Sequence, residues 1–358
     1  MVSFVPTYNK VALPDFDGVC TTEILPLLPD EHLIDRGYLY SLLLSSKFVK
    51  WASANVSGAN LPRLGPERLE EYPIALPPLE EQKRIAALLD KADHLRRNRR
   101  YALQLTDTFL QSIFLEMFGD PVINPKGWSV FELAEIVKSF EGGINFNPVS
   151  ENGPKSKWRV LKISSVTSGE FKPYESKAIA PDTTFNPSLI VRKDDLIISR
   201  ANTTELVGAV CMVRQVPPDV LLPDKLWRIK ISEAARIDPN YLLRFLQLPS
   251  TRKIIGELAT GTSGSMQNIS KDKAGTIPIL TPPIELQKKF AAIVQATERL
   301  RAQQREAERQ AEHLFLTLLH RAFSEEENTT RMETTSSEIT CGDNEKTGNK
   351  LPAYIAFG

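Results

Sequence analysis

The chain has 358 residues, of which 42% are hydrophobic and 25% charged, and its formal net charge is zero. This is the composition of an ordinary globular protein, the length suggests about two domains, and zero net charge argues against a generic nucleic-acid coat protein. No run is apolar enough to span a bilayer, and three scattered cysteines indicate neither a disulfide framework nor a zinc site. We expect a cytoplasmic protein that contacts no membrane and holds no metal or cofactor.

The first predicted elements are an irregular domain, residues 1–75, and a long helix, residues 76–118. The helix begins after Pro77 and Pro78, because a residue that precedes proline is pushed out of the helical region. Glu80 then suits the first turn, where the helix dipole favours acids. Further along, apolar residues recur mainly at spacings of three and four, which is a heptad-like pattern. A Gly-Asp-Pro sequence at residues 119–121 ends the helix.

A strand-rich domain is predicted over residues 119–281. Short β-rich runs at residues 158–163, 195–199, 207–213 and 226–231 alternate with Gly, Pro and Asn turns. Residues 240–248 have the pattern of a short helix. The fold class is therefore α+β, with strand-rich domains that alternate with long helices.

A second long helix is predicted over residues 282–323, followed by an acidic tail, residues 324–358. The tail is rich in Thr, Ser, Glu and Asn, and we expect it to be disordered because it has little apolar surface to bury. Each helix would have about 37 residues and a length of about 55 Å. The two could belong to separate bundles, but we expect an antiparallel coiled coil through Ile85, Leu88, Leu95, Phe109 and Ile113 of the first and Phe290, Ile293, Leu300, Leu314 and Leu318 of the second.

The two domain–helix pairs are copies of one repeat. Residues 74–87 read IALPPLEEQKRIAA and residues 279–292 read ILTPPIELQKKFAA, at an offset of 205. A weaker match relates residues 34–42 to residues 237–245 at an offset of 203. The second copy runs from about residue 119, so a full first copy would start about 85 residues before Met1. We therefore expect a first domain that is cut short at its N-terminus.

The helix start at residues 76–85, the long helix, and the sequences MFGDP (117–121) and NPKGW (124–128) resemble type I restriction–modification specificity subunits. The resemblance covers about residues 10–323. It implies two target-recognition domains, each of which reads half of a bipartite DNA site. It also implies helices that dock modification (methyltransferase) subunits and, through them, the restriction/translocase subunit.

The incomplete first domain departs from the family pattern and leaves alternatives open. The chain could be a coiled-coil docking remnant that holds the modification subunit without productive DNA readout. Two chains could also associate and supply two copies of the complete domain, which would give a palindromic bipartite site.

Three polar segments of residues 119–281 are candidate contacts to double-stranded DNA, because Arg and Asn suit base edges and cations suit phosphates. Their alternative interpretation is ordinary solvated turns. Residues 119–276 hold 21 basic against 17 acidic side chains, which is compatible with binding DNA. The candidates are Lys155, Lys157 and Arg159; Arg200, Asn202, Thr203 and Thr204; and Gln267, Asn268, Ser270, Lys271 and Lys273.

Catalytic signatures are absent from the sequence. It contains no Gly-x4-Gly-Lys-Ser/Thr phosphate loop and no methyltransferase-like Asn-Pro-Pro-Tyr. Glu175 and Lys177 have a nuclease-like spacing without a suitable upstream acid, and the basic run at residues 96–100 is expected to be solvated or partner-facing rather than a phosphate clamp. We therefore expect a non-catalytic DNA-recognition subunit whose partners carry out the chemistry.

Overall fold

A computed structural model of the chain describes residues 2–3, 11–21, 24–57, 63–146, 156–181, 183–215, 219–263 and 266–324. The candidate Lys155 and the predicted acidic tail from residue 325 onwards lie outside these ranges. The chain divides into two compact units: unit 1 contains Met1–Gln104 and Ala302–Gly358, and unit 2 contains Leu105–Arg301. The fold is mixed α+β with two long helices, which confirms the predicted class.

Unit 1 is mainly helical. The short strands β1 (Val2–Ser3) and β2 (Ile24–Leu25) pair antiparallel, and the helices α1 (Arg36–Leu44), α2 (Ser46–Ala54) and α3 (Pro66–Glu70) follow. The first part of α4 (Leu79–Phe118) and the last part of α9 (Ile284–Phe323) complete the unit. Its core joins Ile34, just before α1, with apolar side chains of these helices, among them Tyr38, Leu42, Phe48, Leu89, Phe315, Leu319 and Phe323.

Helix caps explain where α1 and α2 begin. The Asp35 side chain accepts a hydrogen bond from the Tyr38 backbone N–H at 2.9 Å, which satisfies an amide that has no partner inside the helix. Ser45 ends α1 and caps α2, since its Oγ accepts from the Phe48 N–H at 3.2 Å. A single residue therefore separates the two helices.

Unit 2 contains the strands. Its first half has β3 (Val130–Glu132), α5 (Leu133–Ile136), β4 (Val137–Gly142), β5 (Arg159–Leu161), β6 (Ser176–Ala178), β7 (Leu196–Ser199), β8 (Ala201–Asn202), β9 (Val210–Met212), β10 (Val220–Leu221) and β11 (Leu226–Ile231). Its second half has α6 (Pro239–Gln247), α7 (Pro249–Leu258), β12 (Thr260–Ser263), β13 (Met266–Asn268), α8 (Lys271–Gly275) and β14 (Pro278–Leu280). The four predicted β-rich runs contain β5, β7, β9 and β11, and the predicted short helix is α6.

The strands of unit 2 form several small sheets. An antiparallel sheet has the order β4-β11-β7-β9, and a second sheet, β10-β5-β6, contains one parallel pair. The strands β12, β13 and β8 form a third sheet, and β14 pairs with β3. The core is centred on a group of aromatic rings with centroids 4.8–6.3 Å apart: Phe114 and Phe118 of α4, Tyr241 and Phe245 of α6, and Phe290 of α9.

In unit 1, a buried glutamine fastens the start of α4 to the preceding domain. Gln82 Oε1 accepts a hydrogen bond from the Asp35 N–H at 2.9 Å. Gln82 Nε2 donates to the carbonyls of Leu33 (3.0 Å) and Pro77 (2.8 Å). Because Asp35 also caps α1, one side chain fixes the beginnings of both helices.

Unit 2 repeats this arrangement. Gln287 Oε1 accepts from the N–H of Asp238, the cap of α6, at 2.9 Å. Gln287 Nε2 donates to the carbonyls of Arg236 (3.1 Å) and Pro282 (2.8 Å). We call each set of three hydrogen bonds the glutamine clamp. The sequence repeat thus encodes a structural joint between a domain and its long helix.

Equivalent tyrosines support the two joints. The Tyr38 hydroxyl donates to the Ala75 carbonyl at 3.0 Å, and the Tyr241 hydroxyl donates to the Leu280 carbonyl at 2.9 Å. Burial raises the pKa of Tyr38 to about 12, with a smaller contribution from Tyr72, and burial also raises the pKa of Tyr241. Both phenols therefore keep their protons and remain donors at neutral pH.

Candidate nucleic-acid interface

Two of the three candidate segments meet in the sheet β12-β13-β8. The register places Gln267 opposite Asn202 and Asn268 opposite Ala201. The Ile269 N–H also donates to the Arg200 carbonyl at 2.9 Å. Side chains that are far apart in sequence, around Arg200 and around Gln267, therefore lie side by side. We call this region of unit 2, residues 200–204 with 266–273, the polar ledge.

Turns on each side of the polar ledge hold its side chains in place. Asn202 Oδ1 accepts from the Thr203 N–H at 2.9 Å, and the Thr203 carbonyl accepts from the Leu206 and Val207 amides. Thr204 is exposed on this turn. At the other end, Ser270 caps the short helix α8 by accepting from the Lys273 N–H at 3.2 Å, and Lys271 is exposed beside it. The ledge thus combines amides, hydroxyls and two lysines.

Arg200 is held by contacts to Asp224 that its position in the sequence does not reveal. Its Nε donates to the Asp224 carbonyl at 2.8 Å, and its Nη2 lies 3.8 Å from Asp224 Oδ2, with one third of the side chain exposed. One edge of the guanidinium is therefore engaged by the protein. An approaching base or phosphate would meet an arginine that is already partly neutralised.

The remaining candidate segment lies on another sheet, β10-β5-β6. Arg159 donates from Nε to Ser176 Oγ (2.8 Å) and from Nη2 to the Ser176 carbonyl (2.9 Å), so its guanidinium braces β5 against β6. Lys157 is exposed, 5.5 Å from the centre of the Trp158 ring and 3.9 Å from Asp219. Of these two residues, Lys157 is the better placed to reach an anion.

A cation that sequence reasoning missed borders the polar ledge. Arg252 of α7 donates from Nη2 to the Glu205 carbonyl at 3.1 Å, and burial lowers its pKa to about 10. The turn makes room for it at Gly208, where φ is +72° and an added Cβ would lie 3.0 Å from Arg252 Nη1. One sequence signal could have predicted this position: the spacing of the apolar residues in α7. These residues face the core, and Arg252 lies off that face.

Five positions of the predicted apolar stripe of the long helices are exposed in the structure and five are buried or partly buried. Ile85 and Phe290 are buried, and Ile113, Ile293 and Leu318 are partly buried against the cores. The other predicted residues are 40–51% exposed: Leu88, Leu95, Phe109, Leu300 and Leu314.

The buried face of each helix lies one residue away from that stripe. In unit 1 it passes through Leu89 and Ala92, opposite Phe315, and in unit 2 through Leu110 and Phe114. One residue corresponds to a rotation of about 100° around a helix. The rotation follows from domain packing, because this face meets Tyr38 in unit 1 and Tyr241 in unit 2 as well as the other long helix.

The basic run at residues 96–100 contacts α9 within unit 1. Arg96 Nη1 lies 3.0 Å from Glu312 Oε1, and Arg100 Nε lies 3.3 Å from Glu308 Oε1. Arg100 comes after Arg96 in α4, whereas its partner Glu308 comes before Glu312 in α9. The two helices are therefore antiparallel in this region. Asp93, which is buried, binds Arg96 Nε at 2.5 Å. These contacts favour a helix-pairing role for the run over phosphate binding.

The part of the chain that the structure describes has neither a metal-site cluster nor a membrane-spanning helix. No group of three or more His, Cys, Asp and Glu side chains there could hold a metal ion. Within the same ranges, no helix is both long and apolar enough to cross a membrane. Glu175 accepts a hydrogen bond from Ser164 at 2.8 Å, which lowers its pKa, and lies 3.7 Å from Lys162. The Glu175 carboxylate therefore already has Ser164 and Lys162 as partners.

Comparisons with known proteins show similarity to one class of protein. Residues 6–104 match the family model described as "Type I restriction modification DNA specificity domain". The MjaVIII specificity subunit of Methanocaldococcus jannaschii is 24% identical over 302 residues, 79% of this chain and 68% of that protein. The EcoKI specificity subunit of Escherichia coli K12 is 26% identical over 290 residues, 76% of this chain but 60% of that protein. The chain is therefore similar to type I restriction–modification specificity subunits, over 79% of its length in the first of these relatives.

Solved structures agree on the fold. A chain from a study of complex assembly and conformational transition in a type I R-M system has a TM-score of 0.50 at 22% identity, over 90% of this chain and 80% of that one. The type I S subunit from M. genitalium has a TM-score of 0.50 at 17% identity, over 83% of this chain and 74% of that one. At such low identity the likeness concerns the architecture.

Proposed function

We propose that this chain is the DNA-recognition subunit of a type I restriction–modification complex and that it directs methylation and restriction by partner subunits. The observation that carries the proposal is the match of residues 6–104 to the specificity domain, joined to the glutamine clamp that unit 2 repeats. The repeat supports a second specificity domain at residues 119–281. No chemical step is assigned to the chain itself.

The polar ledge supplies the proposed DNA-contacting surface. Lys271 and Lys273 can neutralise phosphates, while the side chains of Arg200, Asn202 and Gln267 offer groups for base edges. Phosphate contacts fix the position of a protein on the duplex and base contacts give it sequence preference. Ser270, Thr203, Thr204 and Asn268 lie within the same ledge, and Lys157 is proposed as a more distant phosphate contact.

The exposed apolar positions of the long helices are the proposed docking surface for modification subunits. In unit 1 these are Leu88 and Leu95 of α4 and Leu314 of α9, and in unit 2 they are Phe109 of α4 and Leu300 of α9. Heptad spacing suits them to helices of a partner. The restriction subunit would then join through the modification subunits. A second copy of this chain is the other occupant to test, by measuring the mass of the purified chain.

A gel-shift titration tests this proposal. The full chain is combined with its modification subunit and titrated against duplexes that carry different sequences, at several salt concentrations. We expect one sequence to bind at least about 1,000-fold more tightly than the others. Binding that is equal for all duplexes, or none, would contradict the proposal and favour a docking protein that does not read DNA.

A paired variant tests the phosphate contacts. Replacing Lys271→Gln and Lys273→Gln together removes two cations from the ledge, so affinity should fall about equally for every sequence. The slope of log affinity against log salt should become shallower by about 1.8, because each phosphate contact contributes about 0.9. An unchanged slope would remove both lysines from the proposed surface.

A further inference from the structure

A tight turn of four residues, 172–175, lies directly before β6, which is an edge strand of the sheet β10-β5-β6. The Glu175 N–H donates to the Lys172 carbonyl at 3.1 Å and closes the turn. Pro173 occupies the second position, where the fixed φ of proline suits a β-turn. Tyr174, the next residue, therefore lies at the tip. We call residues 172–175 the KPYE turn.

Backbone hydrogen bonds join both ends of the KPYE turn to the segment that precedes it in unit 2. The Lys172 N–H donates to the Ser165 carbonyl at 2.8 Å. At the other end, the Lys162 N–H donates to the Glu175 carbonyl at 2.9 Å. The turn is therefore held by its backbone, and its side chains are not needed to keep it in place.

The residues just before the turn are fastened to two helices. Gln247 Nε2 of α6 donates to the Gly169 carbonyl at 2.9 Å. Arg301 of α9, which is buried, pairs with Glu170, and Phe171 packs against a small core of buried apolar side chains. Because these contacts fix the backbone in advance, a ligand of the turn would lose little affinity to the ordering of the chain.

Positive charge exceeds negative charge around the KPYE turn. Lys172 and Lys177 are exposed, and the side chain of Lys162 is 42% exposed. Glu175, the one carboxylate of the turn, lies 3.7 Å from Lys162 Nζ. A hydrogen bond from Ser164, and then the charges of Lys162 and Lys172, lower the pKa of this carboxyl group. Glu175 is therefore ionised at neutral pH and offsets one of the three lysines.

Tyr174 carries a hydrogen-bond donor at the tip of the turn. The residue is 88% exposed, which is unusual for an aromatic side chain. Lysine ammonium groups and tyrosine hydroxyls both donate to phosphate oxygens of DNA. The KPYE turn contains neither a guanidinium nor a carboxamide, the groups that make paired hydrogen bonds to guanine and adenine. Its chemistry therefore suits the DNA backbone rather than the base edges.

We propose that the KPYE turn is a DNA-backbone contact of unit 2, in which Lys172 Nζ and the Tyr174 hydroxyl donate to phosphate oxygens. The turn adds to the polar ledge a contact that positions the protein on the duplex without reading its sequence. This assignment rests on the proposed DNA-recognition function. It concerns a segment of the chain that is separate from the ledge.

Two variants remove the proposed donors one at a time. Lys172→Gln removes the charge and keeps a polar side chain, and Lys289→Gln, at an exposed position of α9, is its matched control. Tyr174→Phe removes only the hydroxyl, and Tyr101→Phe, at a position of α4 that is 59% exposed, is its matched control. All four positions are exposed, so each variant should unfold at the same urea concentration as the wild-type protein.

The full-length proteins, in complex with the modification subunit, are titrated with the duplex that the wild-type complex prefers, at several salt concentrations. For Lys172→Gln, the slope of log affinity against log salt should become shallower by about 0.9, the contribution of one phosphate contact. Tyr174→Phe should lose about 10-fold in affinity, because it lacks a hydrogen bond to a charged group. Its slope should not change, since no charge is removed. Both controls should bind as the wild-type protein does.

Duplexes with a single uncharged methylphosphonate locate the contact. Moving this group along each strand should reveal a position at which the wild-type complex loses affinity and Lys172→Gln loses little more. At the other sensitive positions, the wild-type complex and the variant should lose affinity equally. This comparison separates a contact to one phosphate from a general effect of the removed charge.

Three results would overturn the assignment. The first is that Lys172→Gln and Tyr174→Phe bind DNA as their controls do. The second is that every methylphosphonate affects the wild-type complex and Lys172→Gln equally. The third is that the two variants co-purify less of the modification subunit than their controls, which would make the turn a protein contact. A wild-type complex that binds all duplexes equally, or none, would instead overturn the proposed function, and the assignment with it.

Discussion

The glutamine clamp of unit 2 predicts a large loss of stability for a nearly isosteric change. Gln287→Met keeps the volume of the side chain but removes all three hydrogen bonds. It leaves the Asp238 N–H and the Arg236 and Pro282 carbonyls without partners in a site where Gln287 is fully buried. An unsatisfied buried polar group costs about 1–3 kcal/mol, so we expect a loss of about 3–5 kcal/mol after partial relaxation.

Urea unfolding followed by tryptophan fluorescence measures this loss. Three of the four tryptophans, Trp128, Trp158 and Trp227, belong to unit 2 and report on it. Gln310→Met is the matched control, because Gln310 is an exposed glutamine of the same helix whose side chain donates a hydrogen bond to Glu306, and it should cost less than about 0.5 kcal/mol.

Equal unfolding midpoints for the two variants would refute the clamp as a source of stability. The repeated residue provides a second check, since Gln82→Met should destabilise unit 1 by a similar amount. Trp51 is the reporter for that unit. A loss at one glutamine and none at the other would show that the two joints are not equivalent.

Three further changes separate buried contacts from exposed ones. Phe114→Ala should cost about 3–5 kcal/mol in the free energy of unfolding, because the Phe114 ring lies within the aromatic core. Phe109 is exposed, so Phe109→Ala should cost less than about 1 kcal/mol and should instead reduce co-purification of the modification subunit. Asp93→Asn should cost about 2–3 kcal/mol, since it weakens a buried ion pair with Arg96, while Asp90→Asn at an exposed position should cost about 0.5 kcal/mol or less in the same assay. Gly208→Ala should lower the free energy of unfolding by about 1–3 kcal/mol, because φ at this residue is +72° and the new Cβ would lie 2.2 Å from Ile255 Cγ2. Thermal denaturation measures this loss, and a midpoint equal to that of the wild-type protein would contradict the prediction.

The sequence was sufficient to predict the long helices, because their signals are local. The Pro-Pro pairs and the acidic first turn are repeated at an offset of 205, and α4 and α9 begin at equivalent residues, Leu79 and Ile284. The buried face could not be predicted from spacing alone. Leu88 and Leu95 form as good an apolar series as Leu89 and Ala92, and the aromatic residues of α1 and α6 decide between the two series.

The polar ledge was only half predictable for a related reason. Its residue types were visible in two separate segments, but the pairing of β8 with β13 joins residues that are distant in sequence, and no local pattern encodes it. Nor could composition show that Asp224 engages Arg200 or that Ser176 engages Arg159. Side-chain partners of this kind depend on the tertiary fold.

The central claim, that this chain gives sequence specificity to partner enzymes, is tested most directly by a methylation map. Cellular DNA is sequenced for modified bases after the chain is co-expressed with its modification subunit, with the modification subunit alone as the control. We predict a new methylated motif that appears only when both proteins are present. The motif should consist of two half-sites, which are either identical or different in sequence. If the two proteins co-purify and no motif appears, the claim is contradicted and the chain docks its partner without directing it to DNA.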